Sequence, residues 1–432
     1  MENEPFKLLL IDYTGGIMGE KKEANYVKGA LIITLGMLLS KFLGLFFKIP
    51  LTNLLGDYGM GLYSYAYPLY TTFLTISTGG LPLAVSKLVA ESVALGNRKQ
   101  AYKIYNVALC ALAVIGGLCS LIMFAGASFF IKAFSWEPQA YYSIIAISFA
   151  PALVAVLSVI RGFFQGMQSM VYSSVSTIIE QIGRVGAGLA LAYYLTSSRG
   201  VAWGAAGGTF GAVAGAFFSL SYLYISYIIY RKNDNLRDLH LNQAKGNSVN
   251  DILKNLVKIA LPVTLSSVAT TLTNLIDSVT ITANLALAGF SSYQATELFG
   301  QLTNKAQTLL NVPLVVGAAL ATSLVPSMSE SIIKGDMAFA RKKSSMAVRL
   351  AFLIAVPAAL GLSLLCEPIY QLIYPKAPGG ANMLALSSLT VVFTVAMSTL
   401  HGILQGCGKY YRPIRNIAIG GAVKFVLNMV LV

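Results

Sequence analysis

Runs of 20 or more apolar residues recur along the whole of this 432-residue chain. Each run is long enough to cross ~30 Å of hydrocarbon as a helix. Inside lipid every backbone N–H and C=O must be satisfied by helices or by a closed barrel. The runs are continuous, not alternating, so helices are expected. Only 11% of residues are charged, where a soluble domain carries about 25%. The expected fold is an all-α polytopic membrane protein.

The apolar pattern predicts helices over 27–50, 63–87, 104–131, 141–166, 172–196 and 201–230. Five more are expected over 256–288, 303–327, 345–374, 381–405 and 413–432. The polar stretch "RKNDNLRDLHLNQAKGNSVNDILKN" separates the two sets. The expected organisation is therefore a cytoplasmic tail 1–26, a six-helix lobe 27–230, a cytoplasmic linker 231–255 and a second lobe 256–432. The first apolar run is too long, and is followed by too many others, to be a cleavable signal peptide. Residues 1–19 differ in character from the rest, which makes Met18 a candidate start.

The net charge is +14. In a soluble chain that would suggest nucleic acid; here it follows the sidedness of the membrane. Of the Lys and Arg residues between the expected helices or at their ends, 21 fall on the side of the N-terminus. Only Lys132, Arg199 and Lys376 fall on the other. The rule that inside loops are positive puts the N-terminus in the cytoplasm, and no nucleic-acid partner is implied. Cys110, Cys119, Cys366 and Cys407 all lie in apolar segments without a CxxC pair and read as small core residues. The chain has no Walker A motif, no HExxH, no Cys/His metal spacing and no nucleophile–base set. Neither an enzyme nor a cofactor or metal site is expected.

An internal repeat is visible. "SVIRGFFQG" (158–166) matches "STLHGILQG" (398–406) at an offset of 240, and "AESVALGN" (90–97) matches "SESIIKGD" (329–336) at 239. Six helices in the first half bring the chain back to its starting side, so the repeats are parallel, related by an axis along the membrane normal. At the same offset Arg161 meets His401 and Arg184 meets Lys424. The last helix matches the fifth of the first lobe, so a full second lobe needs at least one more, and the chain is read as cut short.

Apart from those at the cytoplasmic ends, six basic residues remain inside expected helices: Lys41, Lys48, Arg161, Arg184, Lys305 and Lys424. Each costs at least roughly 2.5–3.5 kcal/mol at mid-bilayer unless it faces protein or water. Lys41 and Lys48 are seven apart and share one helix face, about 20° out of line. Lys48 and Arg161 also stand near helix ends, where such side chains snorkel to the headgroups. Lys305 equally reads as the start of a helix, and Arg184 as an ion pair with Glu180 one turn away. Asp277 and Glu180 are the clear intramembrane acids and the candidates for ion coupling. Bases outnumber acids, so the expected cavity is positive and its cargo anionic. The aromatic run "YSYAYPLY" (63–70) reads as an interface belt, and Gly79, Gly80, Pro82, Pro313, Pro326 and Pro357 as points where helices loosen.

Four stretches carry a family resemblance. They are Ser40-Lys41-Phe42-Leu43-Gly44, "GDYGMGLYSYAYPLY" (56–70), "NVPLVVGAALATSLVPSMSES" (311–331) and "HGILQGCGKYYRPIRN" (401–416). In order and spacing they resemble the multidrug/oligosaccharidyl-lipid/polysaccharide exporter superfamily, and within it the polysaccharide-exporter branch with the MurJ-type lipid II flippases and stage V sporulation protein B. The resemblance implies a MATE/MurJ-like fold of two six-helix lobes, and flipping of an undecaprenyl-pyrophosphate-linked saccharide by alternating access. MurJ-type proteins carry Ser-Arg-x-x-Gly on the first helix and a second Arg six residues on. This chain has Lys41 at the first position, supported by Ser40 and Gly44, and Phe47 at the second, with Lys48 beside it. The substrate-binding set expected is Lys41, Lys48, Arg161, Arg184, Lys305 and Lys424, with His401 in support. The partners implied are a lipid-linked oligosaccharide, membrane lipids and the cell-wall synthesis machinery, with the chain acting as a monomer. A cation-coupled multidrug exporter of the same fold, relying on Asp277 or Glu180, is the alternative; a non-transporting membrane scaffold is the second.

Overall fold

The computed structural model describes residues 43–44, 46–235, 248–333, 335–408 and 411–431. The described residues contain helices and turns and no strand. The first lobe is built from α1 (46–78), α2 (Leu81–Ala94), α3 (Arg98–Ala133), α4 (Ala140–Ile147), α5 (Ala150–Gly166), α6 (Met170–Arg199) and α7 (Val201–Asn235). The second holds α8 (Val249–Leu287), α9 (Ser292–Gly300), a π-helical turn Gln301–Ala306, α10 (Gln307–Ile333), α11 (Met337–Leu364), α12 (Cys366–Ile373), α13 (Ala381–Ser387), α14 (Leu389–Gly406) and α15 (Tyr411–Leu431).

Among the described residues six helices are long and apolar enough to span a membrane, and α13 with α14, bent by 42°, makes a seventh candidate. Their outward faces carry large apolar side chains. Leu121 on α3, Ile225 on α7 and Leu364 on α11 are 60%, 57% and 79% exposed. A soluble protein does not leave such surfaces bare. This is a multi-pass membrane protein.

α1 is a hairpin, although its helical residues run on without a gap. A straight helix would place Phe47 and Tyr63 ~24 Å apart along the axis. Their rings are 6.4 Å apart. The chain turns back at Gly56, whose φ is +66°, a left-handed conformation that costs roughly 1–2 kcal/mol for a residue with a Cβ. The expected gap at 51–62 thus shrinks to one residue. The outgoing arm is 46–55 and the returning arm 57–78, and Gly80, also left-handed at +67°, sets the returning arm off from α2. Pro82 then sits in the first turn of α2, where its missing N–H costs nothing.

The internal repeat has a geometric counterpart. After α2, Gly96 (φ +72°) precedes Asn97, whose side chain caps α3 by accepting from the Gln100 N–H at 3.0 Å. After α10, Gly335 (φ +72°) precedes Asp336, which caps α11 by accepting from the Phe339 N–H at 2.9 Å. α5 and α14 end alike, at Met167 (φ −77°, ψ 5°) and Cys407 (φ −79°, ψ 5°). Each also follows a short helix, α4 or α13, where one continuous span was expected.

α6 and α7 approach backbone to backbone. A Cβ on Gly211 would lie 2.6 Å from the Arg184 carbonyl oxygen, and one on Gly215 2.3 Å from that of Glu180. Spacing of four puts these glycines on one stripe, the small-residue device by which helices pack without a hydrophobic drive. α7 extends to Asn235 and α8 starts at a capping box, Ser248 with Asp251, so helix intrudes on both flanks of the expected linker. The expected span 345–374 is two helices, α11 and α12. The residues 27–42 of the first expected span lie outside the described residues.

Candidate functional site: the wall between the lobes

On the outgoing arm of α1 the side chains divide by direction. Phe46 and Pro50 are exposed. Phe47 packs on Gly188 of α6 and Leu51 on Gly208 of α7. Ile49 packs on the second lobe's core, and Asn53 donates to the Ile373 carbonyl of α12 at 2.9 Å. A helix rotates ~100° per residue, so Lys48 lies between the two lobe-facing rows and opposite Phe46 and Pro50. Its side chain is half-buried and has no ion-pair or hydrogen-bond partner among the described residues. Thr52, one turn further on, donates to the Lys48 carbonyl at 2.8 Å and is fully buried.

Arg161 (α5) and Arg184 (α6) converge on one carboxylate. Arg161 Nη2 donates to Glu180 Oε2 at 3.0 Å and Arg184 Nη2 to Glu180 Oε1 at 2.9 Å. Arg161 also donates to Ser176 at 2.8 Å and Ser219 at 3.2 Å. Arg184 also donates to the Tyr67 hydroxyl of α1 at 2.9 Å, and its Nε lacks a partner. The cluster holds two cations and one anion, so one positive charge is uncompensated. A chain of contacts joins it to Lys48: Tyr67 stacks on Tyr63 at 5.4 Å, and Tyr63 meets Phe47, the residue beside Lys48.

Lys305 is not a cavity ligand here. It sits in the π turn with 0% exposure, ion-paired to Asp57 at the α1 hairpin. It also donates to the Gly379 carbonyl at 2.9 Å and lies 5.7–5.8 Å from the rings of Tyr370 and Tyr374. The reading of Lys305 as a helix start fails as well, because helix begins at Ser292. Lys424 on α15 pairs with Asp277 on α8 at 2.6 Å, and Asn428 donates to Asp277 at 3.3 Å and to Thr280 at 2.8 Å. Asp277, one candidate for ion coupling, is thus already held by an internal cation, and Glu180 by two. His401 on α14 is half-buried without a polar partner among the described residues, and Gly44 has open space around it. Lys41 and Ser40 lie outside the described residues. Among the described residues no group of three His, Cys, Asp or Glu side chains is placed to hold a metal.

The sequence reading missed Asp57, Gln301, Asn304, Asn428 and the tyrosines. Tyr63, Tyr65 and Tyr70, expected in an interface belt, are 4%, 1% and 2% exposed. Their signal lay in the spacing: positions 63, 67 and 70 share one helical face, and the buried Arg184 gives that face a cation.

Comparison with known proteins agrees with this architecture. Residues 26–332 match the family "Polysaccharide biosynthesis protein". The chain is 29% identical over 426 residues to "Lipid II flippase MurJ" of Bacillus subtilis (strain 168), covering 95% of this chain and 78% of that protein. It is 27% identical over 407 residues to "Stage V sporulation protein B" of the same organism, covering 94% and 78%. Its backbone is similar to the solved inward-facing conformation of a multidrug resistance MATE family transporter of the MOP superfamily, with TM-score 0.70 at 14% identity over 91% of this chain and 88% of that one.

Proposed function

Because the chain belongs to the polysaccharide biosynthesis protein family, a branch of transporters, we infer that it moves a lipid-linked saccharide carrying phosphate or pyrophosphate through the space between its lobes. The N-terminus would lie in the cytoplasm, as the distribution of basic residues requires. One observation carries the anionic substrate class. With Asp57, Glu180 and Asp277 all paired, positive charge remains at Lys48 and at the Arg161–Glu180–Arg184 cluster. Ammonium and guanidinium groups in a site poor in water are the natural partners of phosphate oxygens. Tyr63 and Tyr67 lie between the two cationic points and contribute ring faces and hydroxyls. The polyprenyl tail would remain in lipid at the lobe edge while the charged head crosses.

The similarity to a lipid II flippase supports this reading. A cation-coupled drug exporter needs a free carboxylate in the path. Glu180 and Asp277 are both engaged by cations, which weighs against it. The test is reconstitution of the full chain into liposomes containing a fluorescent undecaprenyl-pyrophosphate saccharide. Movement between leaflets, measured by reductant quenching, is expected; no movement beside efflux of a cationic dye by the same vesicles would overturn the reading.

A further inference from the structure

The end of the bundle that carries the α1 hairpin is closed by polar groups across the two lobes, and their arrangement is that of a lock. Four of the six residues of the π turn bond to α1. Gln301 donates to Asp57 Oδ2 at 2.8 Å, Thr303 to Ser64 at 2.8 Å, Asn304 to the Met60 carbonyl at 2.8 Å, and Lys305 pairs with the other Asp57 oxygen. Tyr58 stacks on Tyr293 at 4.2 Å, and Trp136 donates to the Ser278 carbonyl at 2.7 Å. Asp57 is 8% exposed and Lys305 0%. π turns are rare and concentrate where a helix has been re-aimed for a task.

We propose that the Asp57–Lys305 pair is the latch that holds the outer end of this transporter shut. The proposal rests on the two-lobe transport reading above but not on the identity of the cargo. An apolar seal of the same size would lose ~25 cal/mol for each Å² exposed on opening. A buried ion pair behaves differently. Its attraction is largely offset by the desolvation of both ions, and when the lobes part, water restores that solvation. The closed state is therefore specific without being deep, as a gate that reopens in each cycle requires. The two alternatives to a pair act in opposite directions. A lone buried charge drives the end open towards water, and an apolar pair glues it shut.

The test uses Thr52→Cys as reporter, because Thr52 is fully buried just inside the seal. The four native cysteines are replaced by serine, and intact cells receive a membrane-impermeant maleimide from outside. Labelling should be slow with the native pair, about tenfold faster with Asp57→Asn, and slower than native with Asp57→Leu plus Lys305→Met. Equal labelling of all three, or faster labelling of the apolar pair, would overturn the latch. If Asp57→Asn fails to accumulate, the apolar pair still decides, since it leaves no buried charge. Cysteines at Tyr58 and Tyr293 give a second readout with the pair intact: oxidising them to a bridge should abolish the residual labelling at position 52, and undiminished labelling would count against the latch. Reduced access in the apolar pair with no movement of the lipid-linked saccharide in any variant would uphold the latch and sink the substrate reading alone.

Discussion

Arg161 and Arg184 hold the two oxygens of a single carboxylate, Glu180, from two different helices. The carboxylate is 8% exposed, so the three side chains stand or fall together. Removing the anion leaves two guanidinium groups facing each other in a buried site, a change that typically costs 3–5 kcal/mol. Glu180→Ala is expected to lower the melting temperature of the detergent-solubilised protein sharply, and Glu180→Asp to restore part of it. An unchanged melting temperature for Glu180→Ala would show that the cluster is hydrated rather than packed.

Gly56 gives a separate prediction. Its φ is +66° and a Cβ there meets nothing within 4 Å. A substitution should therefore suffer from backbone conformation alone, about 1–2 kcal/mol for Ala. Asn, which visits the left-handed region more readily, should be tolerated better than Ala, and Val worst of all. The check is the ranking of melting temperatures. Ala and Asn behaving alike would mean that the hairpin relaxes.

The Asp277–Lys424 pair joins α8 to α15, with side chains 27% and 37% exposed. At that exposure screening by water reduces its strength, and a double-mutant cycle with Asp277→Asn and Lys424→Met is expected to give a coupling of about 1 kcal/mol or less. If Asp277 bound a coupling ion in the native chain, added sodium would raise the melting temperature. With Lys424 in place no rise is expected, and Lys424→Met should create one. Sodium stabilising the native chain would contradict this assignment.

Much of this fold was legible because lipid imposes a simple rule, apolar runs of a fixed minimum length. The offset of 239–240 between the repeats was equally readable, and Gly96-Asn97 and Gly335-Asp336, 239 apart, show why, since each marks the same left-handed turn and cap. The site was legible only as a list of charges. Which charge has a partner depends on contacts between distant residues. Lys305 meets Asp57 248 positions away, and Lys424 meets Asp277 147 positions away. Spacing along one helix predicts the Glu180–Arg184 pair, but not that Arg161 shares it. A reversal was expected over 51–62, but not its sharpness: a single left-handed residue, Gly56, turns the chain without any polar loop.

The proposed recognition of a phosphate-bearing head by positive charge between the lobes is tested most directly at Lys48. Among the described residues Lys48 has no counter-ion to strand, so Lys48→Met should leave the melting temperature unchanged or raise it, since an unpaired buried charge is itself unfavourable. In the same protein, movement of a pyrophosphate-linked saccharide in liposomes should fall at least tenfold, and Lys48→Arg should retain most of it. Full transport by Lys48→Met at native protein levels would contradict the account.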